Sequence, residues 1–287
     1  MKGIAQTLPL PITALLPKVQ INVPFPLLVK NLEKILDFGL RPEIYFSSLT
    51  LDHLSWAEVR KTSRELRRKN FSVTFHGPFM DLNPGAADEK VRELTCHRFE
   101  QVLALVPLFQ PRVIVFHPGY DRWRYDSNVE LWLEKSLLTW KPLVERAEAL
   151  SVKLAIENVF EDHPSSLQKL FSALGSPWVG YCLDAGHGNL FSEGAITQWL
   201  DALGSHLVEM HLHDNNRLAD EHLPLGEGNI DFDTIFAYLR QNHLAPILTL
   251  EPHLAEHLEP SLKALQKYLG QDADRTGRRA KRTRGLR

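Results

Sequence analysis

"RVIVFH" (112–117) is the stretch that decides the fold. Val113, Ile114, Val115 and Phe116 run without a polar break and stop at His117. A strand with one wet face alternates polar and apolar residues. An unbroken run belongs to a strand covered on both faces, as in parallel sheets. The same pattern recurs on either side. Upstream lie "KVQINV" (18–23), "EIYFS" (43–47) and "FSVTFH" (71–76). Downstream lie "VKLAIEN" (152–158), "WVGYCLD" (178–184), "HLVEMHLHD" (206–214) and "PILTLEP" (246–252). After each comes a stretch with helical spacing: 25–39, 55–69, within 88–109, 127–150, 165–174, 193–203, 232–241 and 258–269. Ser55 is placed to cap the second helix and Gly39 to stop the first. Eight strand–helix units in strict alternation predict an α/β chain folded as a single-domain (β/α)8 TIM barrel over residues 1–270. An open doubly wound sheet is the alternative, but no Gly-rich phosphate loop follows an early strand.

The bulk numbers set limits. The chain has 287 residues, 44% of them hydrophobic and 24% charged, with a formal net charge of −2. That is an ordinary globular composition, with no global field to recruit nucleic acid or acidic membranes. The end differs: residues 271–287, including "RTGRRAKRTRGLR" (275–287), are basic and almost without apolar residues. They are expected to form a disordered tail rather than a weak contact to an acidic partner. Cys96 and Cys182 stand far apart in no metal-type spacing, as in a reducing compartment. Pro9, Pro11 and Pro17 interrupt the N-terminal apolar run, unlike a signal peptide. No run reaches the ~18 apolar residues of a membrane span. The expected location is the cytoplasm, with no membrane partner; the oligomeric state stays open.

From the third strand onward, every strand ends on a histidine or a carboxylate. These are His76, His117, Glu157, Asp184 with His187 three residues on, His211 with Asp220 and His222 in the following loop, and Glu251. In a parallel barrel all these ends open onto one face, where barrel chemistry occurs. Four carboxylates crowded there repel one another unless a cation compensates. Mixed imidazole and carboxylate donors suit Zn2+, Mn2+ or Fe2+ better than Mg2+ or Ca2+. Singly, each residue has a plainer reading: a lone strand-end histidine is more often a capped or hydrogen-bonded core residue. Asp184 is also placed to cap a helix, as is Asp231 or Asp233. His213 shares the strand face of His211, pointing inward or supporting a ligand. "LGEGN" (225–229) reads as a turn before a helix rather than a phosphate cradle. His53, His163, His253 and His257 match no site pattern and are read as surface residues.

"HGPF" at 76, "HPG" at 117, "IEN" at 156, "LDAGH" at 183, "HLHD" at 211, "DEHLPLGEGNID" at 220 and "LEP" at 250 stand in the order of one family. Through them the chain, to about residue 270, resembles the xylose-isomerase-like TIM barrel superfamily, which includes sugar isomerases, epimerases and endonuclease IV (AP endonuclease family 2). The resemblance implies a divalent-metal enzyme of carbohydrate metabolism or of DNA repair. Family isomerases and epimerases hold one metal; the matching positions are Glu157, Asp184, His211 and Glu251. The endonuclease IV branch holds three zinc ions with nine ligands. The matching positions are His76, His117, Glu157, Asp184, His187, His211, Asp220, His222 and Glu251. Endonuclease IV has "HLND" where this chain has "HLHD", so His213 replaces an asparagine.

The rim loops favour the isomerase branch. "YFSSLTLDHLSW" (45–56) has no Lys or Arg, and "GPFMDLNPGAADE" (77–89) and "NVFEDHPSS" (158–166) are acidic, whereas DNA binding needs cations. Arg122, Arg124 and Arg217 are the basic exceptions. The sequence therefore predicts metal-assisted proton transfer beside a sugar carbonyl, with Glu157 and Glu251 exchanging the proton. Phe79, Trp123, His213 and Arg217 are the expected substrate contacts, and one to three divalent ions the expected cofactor. Zinc-dependent cleavage of abasic DNA is the alternative, with Phe79 and Trp123 as duplex wedges. Under it alone would nucleic acid be a partner.

Overall fold

A computed structural model describes residues 13–269. The first dozen residues and the basic tail lie outside the described residues. Eight parallel strands close into a barrel in sequence order: β1 (Gln20–Pro24), β2 (Arg41–Tyr45), β3 (Thr74–His76), β4 (Val113–Phe116), β5 (Lys153–Glu157), β6 (Val179–Asp184), β7 (Leu207–Leu212) and β8 (Ile247–Leu250). The ring is completed where Gln20 of β1 pairs with Thr249 of β8. This is the (β/α)8 barrel expected from the alternation.

The β4 run shows why the sequence reads as it does. Val113 and Val115 pack with Ala155 and Cys182 in one small buried cluster, inside the barrel. Ile114 and Phe116 face the other way and join the large core under the helices. Both faces are dry, so no polar position interrupts the strand. Trp132, Trp140 and Trp199 lie fully buried in the outer core. Each buried large side chain contributes about 1.5–3 kcal/mol to holding helix on barrel.

The helices follow the amphipathic stretches with local differences. Ser55 caps Trp56–Arg68, its Oγ accepting from Glu58 N, as the sequence predicts. Asp231 caps Phe232–Gln241 in the same way. The segment 25–39 divides at Asn31 into Phe25–Lys30 and Leu32–Phe38, ended by Gly39 at φ +74°. Two helices escape the sequence reading, Ser48–Asp52 and Ala185–Phe191. The second follows β6 within "LDAGHGNLF", whose glycines weaken any helical signal. Among the described residues no helix is long and apolar enough to cross a membrane. Both cysteines are free.

Candidate metal centre

The strand ends deliver their polar residues to one mouth. β3, β5 and β6 finish on His76, Glu157 and Asp184; His117 and Glu251 come one residue after β4 and β8. Asp184 and His211 are register partners on β6 and β7. The quartet Glu157, Asp184, His211 and Glu251 has the clearest geometry. His211 Nδ1 lies 3.5 Å from Glu157 Oε2, 3.8 Å from Asp184 Oδ2 and 3.5 Å from Glu251 Oε1. That nitrogen is buried and has no hydrogen-bond partner. Four donors about 2.1 Å from one cation stand about 3.4 Å apart. An orphaned imidazole nitrogen facing three carboxylates at this spacing fits a divalent transition metal.

The remaining positions extend the bowl. His76 Nε2 donates to Glu157 Oε2 at 3.2 Å, and His117 Nε2 lies 3.4 Å from the same oxygen. His187 Nδ1 lies 3.0 Å from Glu157 Oε1, and its Nε2 lies 3.5 Å from Asp220 Oδ2. His222 Nε2 donates to Asp220 Oδ2 at 3.2 Å. His222 itself sits at φ +48°, a left-handed conformation costly for a side chain this large. All nine positions are thus joined in one network. Overlapping groups among the described residues hold their donor atoms inside 4.8 Å, including His76, His211 and Glu251; His76, His117 and Glu157; Asp184, His187 and His213; and His213, Asp220 and His222.

The electrostatics are those of an acid–imidazole lattice. Among the described residues, the ion-pair partners of Glu157, Asp184, Asp220 and Glu251 are all imidazoles, never Lys or Arg. Burial opposes ionisation of Glu157, but the fields of His211 and His117 outweigh it and hold the carboxyl well below its usual range. Burial likewise opposes the charge on His211, yet Cys182, Glu251, Glu43 and Glu157 raise its pKa well above the ordinary imidazole value. His187 is raised in the same way by Asp184, Asp220 and Glu157. Asp220 is pulled far down by His187 and His222 against its own desolvation. Among the described residues, the compensating charge within this network is a proton on imidazole, which a bound metal ion would displace.

The expected substrate contacts divide. Phe79 stacks on His117 with ring centroids 4.5 Å apart, so it reaches the site. His213 is buried and donates from Nε2 to Asp184 Oδ2 at 3.1 Å, while its Nδ1 has no hydrogen-bond partner and lies 3.8 Å from Asp220 Oδ1. It belongs with the ligands as much as with substrate. Arg217 is at the mouth, with Nη2 donating to Ser192 O at 3.2 Å and no ion-pair partner among the described residues. Trp123 is 81% exposed and lies under the Arg122 guanidinium. Among the described residues no ring contact joins it to the site. Arg122 is itself committed to Asp162 at 2.8 Å and Glu193 at 2.5 Å.

Three further readings are corrected or settled. His253 is exposed, as read from the sequence, but is not detached from the site: its ring stacks on His222 at 3.5 Å, and His222 stacks on His213 at 3.7 Å. His257 bonds through Nδ1 to His222 O. "LGEGN" is a turn, not a cradle, because Gly226 N and Ile230 N both donate to the buried Asp214 carboxylate. Asp184 is both helix cap and site residue, with Oδ1 accepting from His187 N and Oδ2 turned to His213. The sequence reading missed Asn22, Glu43, Asn158 and Glu209, all of them in contact with the site. Asn158 clamps β5 to β6, its Oδ1 accepting from Tyr181 Oη and Asp184 N. The signal available was a carboxylate inside an apolar strand, as in "EIYFS" and "VEMHL".

Comparison with known proteins agrees with the fold. A sequence model described as the xylose isomerase-like TIM barrel matches residues 43–270. The chain belongs to that family. Within it, Uncharacterized protein MJ1311 of Methanocaldococcus jannaschii is 31% identical over 213 residues, covering 71% of this chain and 73% of the relative. The Probable endonuclease 4 of Mycobacterium bovis is 24% identical over 201 residues, covering 65% of this chain and 76% of that one. Among solved structures, a D-tagatose 3-epimerase-like protein superposes with a TM-score of 0.76 at 27% identity, covering 89% of this chain and 99% of its own. The TTHB071 protein from Thermus thermophilus, soaked with ZnCl2, gives 0.72 at 28%, covering 88% and 98%. Relatives with a named activity thus include both epimerases and endonucleases.

Proposed function

We propose that the chain is a divalent-metal-dependent isomerase or epimerase of a sugar or sugar phosphate, working by proton transfer beside a carbonyl. One observation carries this reading. Glu157 and Glu251, three strands apart around the ring, bring carboxylates to within 3.5 Å of the same His211 nitrogen. Two carboxylates approaching one point from different sides are what removal and return of a proton on opposite faces require. Glu157, Asp184, His211 and Glu251 would hold the metal, which polarises the carbonyl and stabilises the negative charge that develops on its oxygen. Glu157 takes the proton from the adjacent carbon and Glu251 returns one to the other face. Arg217 holds a substrate oxygen or phosphate at the mouth. Phe79, over His117, excludes water from one side, His213 steadies Asp184, and Trp123 contributes apolar surface to the rim. His76, His117, His187, Asp220 and His222 complete a ligand set able to hold up to three Zn2+ or Mn2+ ions.

The test is deuterium uptake. With Mn2+ or Zn2+ in D2O, a ketose should gain deuterium next to its carbonyl and convert to its epimer. Glu157→Gln and Glu251→Gln should each slow this by about 10^2–10^4-fold. No exchange with any ketopentose or ketohexose would sink the reading. A second reading is favoured by the convergence of all nine positions in several overlapping donor groups. It is endonuclease IV-like hydrolysis at abasic sites in DNA. Against it stands Arg122, neutralised by Asp162 and Glu193 at a rim that would have to meet phosphates. Efficient cleavage of a duplex carrying one abasic site, with no ketose turnover, would select it.

A further inference from the structure

The nine candidate ligands come from β3 to β8 and their loops. β1 and β2 supply none, yet each places one polar side chain under the centre. Asn22 and Glu43 are register partners on these two strands. Glu43 is fully buried, as are its neighbours Thr74 and His211. Its one ion-pair contact among the described residues is His211, across the barrel on β7. A carboxylate buried without Lys or Arg is costly unless its oxygens are hydrogen-bonded. Here they are. Oε1 accepts from Asn22 Nδ2 at 2.8 Å. Oε2 accepts from His211 Nε2 and from Thr74 Oγ1, both at 3.4 Å. The amide of Asn22 has a second N–H, and Nδ2 also donates to Glu251 Oε1 at 3.0 Å. That is the same oxygen that stands 3.5 Å from His211 Nδ1.

We propose that Asn22 and Glu43 are positioning residues which decide the atoms that His211 and Glu251 present to the metal. By accepting from Nε2, Glu43 keeps the proton on that nitrogen and leaves the Nδ1 lone pair facing Glu157, Asp184 and Glu251. With its other N–H, Asn22 pins Glu251 Oε1 at the same point. Only a carboxylate can do the part of Glu43, because it must accept at both ends. Glutamine offers one oxygen and one NH2, so it must turn N–H against either the Asn22 amide or the His211 N–H. This inference rests on the metal-binding part of the function proposed above and not on the reaction; a nuclease centre would need the same support.

The test reads metal binding and tautomer, not turnover. Zn2+-loaded protein labelled with 15N-histidine should show His211 coordinated through Nδ1, with a slowly exchanging Nε2–H. In Glu43→Gln that proton should exchange faster, and Co2+ should bind about 10–100-fold more weakly. A wild-type spectrum with Nε2 as the coordinated atom overturns the proposal, even if Glu43→Gln does not fold. So does a folded Glu43→Gln that binds Co2+ as tightly as wild type. A wild type that takes up no Co2+ or Zn2+ overturns the metal reading and this inference together. Normal metal binding without ketose turnover fails only the isomerase.

Discussion

Glu161 gives a prediction whose size follows from its surroundings. Its carboxyl is buried on the loop after β5, with Oε2 accepting from Val159 N at 2.7 Å and Oε1 without a partner. Burial pushes its pKa up to about 8 from 4.5. The folded state therefore keeps a proton that the unfolded chain has already released. Stability from this group is full below pH 4.5, is lost as pH rises through about 8, and changes little beyond. At about 1.4 kcal/mol per pKa unit, the whole shift is worth about 5 kcal/mol, and about 3.5 kcal/mol of it falls between pH 5 and pH 8. Glu161→Gln cannot ionise and still accepts from Val159 N. Its NH2 leaves one more unpaired buried donor than the acid's O–H, which costs about 1–3 kcal/mol at every pH. The variant should be the less stable protein at pH 5 and the more stable at pH 8. Urea unfolding of both proteins at the two pH values, in chelator so that no bound cation alters the local field, measures the crossover. A stability difference between variant and wild type that is the same at pH 5 and pH 8 would refute the reasoning.

Three further outcomes are expected. A strong chelator should lower the thermal midpoint, and Zn2+ or Mn2+ at 100 times its Kd should restore about 2.7 kcal/mol; a midpoint indifferent to both would rule out a metal centre. Metal uptake should release about one proton from His211, whose pKa is raised, so affinity should climb about tenfold per pH unit below that value and level off above it; Co2+ titrations between pH 6 and 7 showing no slope would contradict this. Gly186→Ala should destabilise the fold by about 1–3 kcal/mol and displace His213, because the new Cβ would stand 1.9 Å from the ring; urea unfolding and a crystal structure check both parts.

What the sequence determined by itself was the ring and its mouth. Unbroken apolar runs such as Val113–Phe116 are forced by burial on both faces, and their alternation with amphipathic stretches leaves few topologies. The strand-end residues were legible for the same reason: in parallel strands, the end of each run is a place in space as well as in sequence. His253 was not so placed, because its stacking on His222 depends on how two loops fold over each other. Asp214 and Asp220 look alike within one short segment. Only the tertiary structure shows that the first holds a loop through backbone N–H groups and the second faces imidazoles. Asn22 and Glu43 were hidden for the deepest reason. Periodicity reports which face a side chain takes, whereas their partners His211 and Glu251 are brought to them only by closure of the barrel, which joins residues about 170 and 230 positions apart.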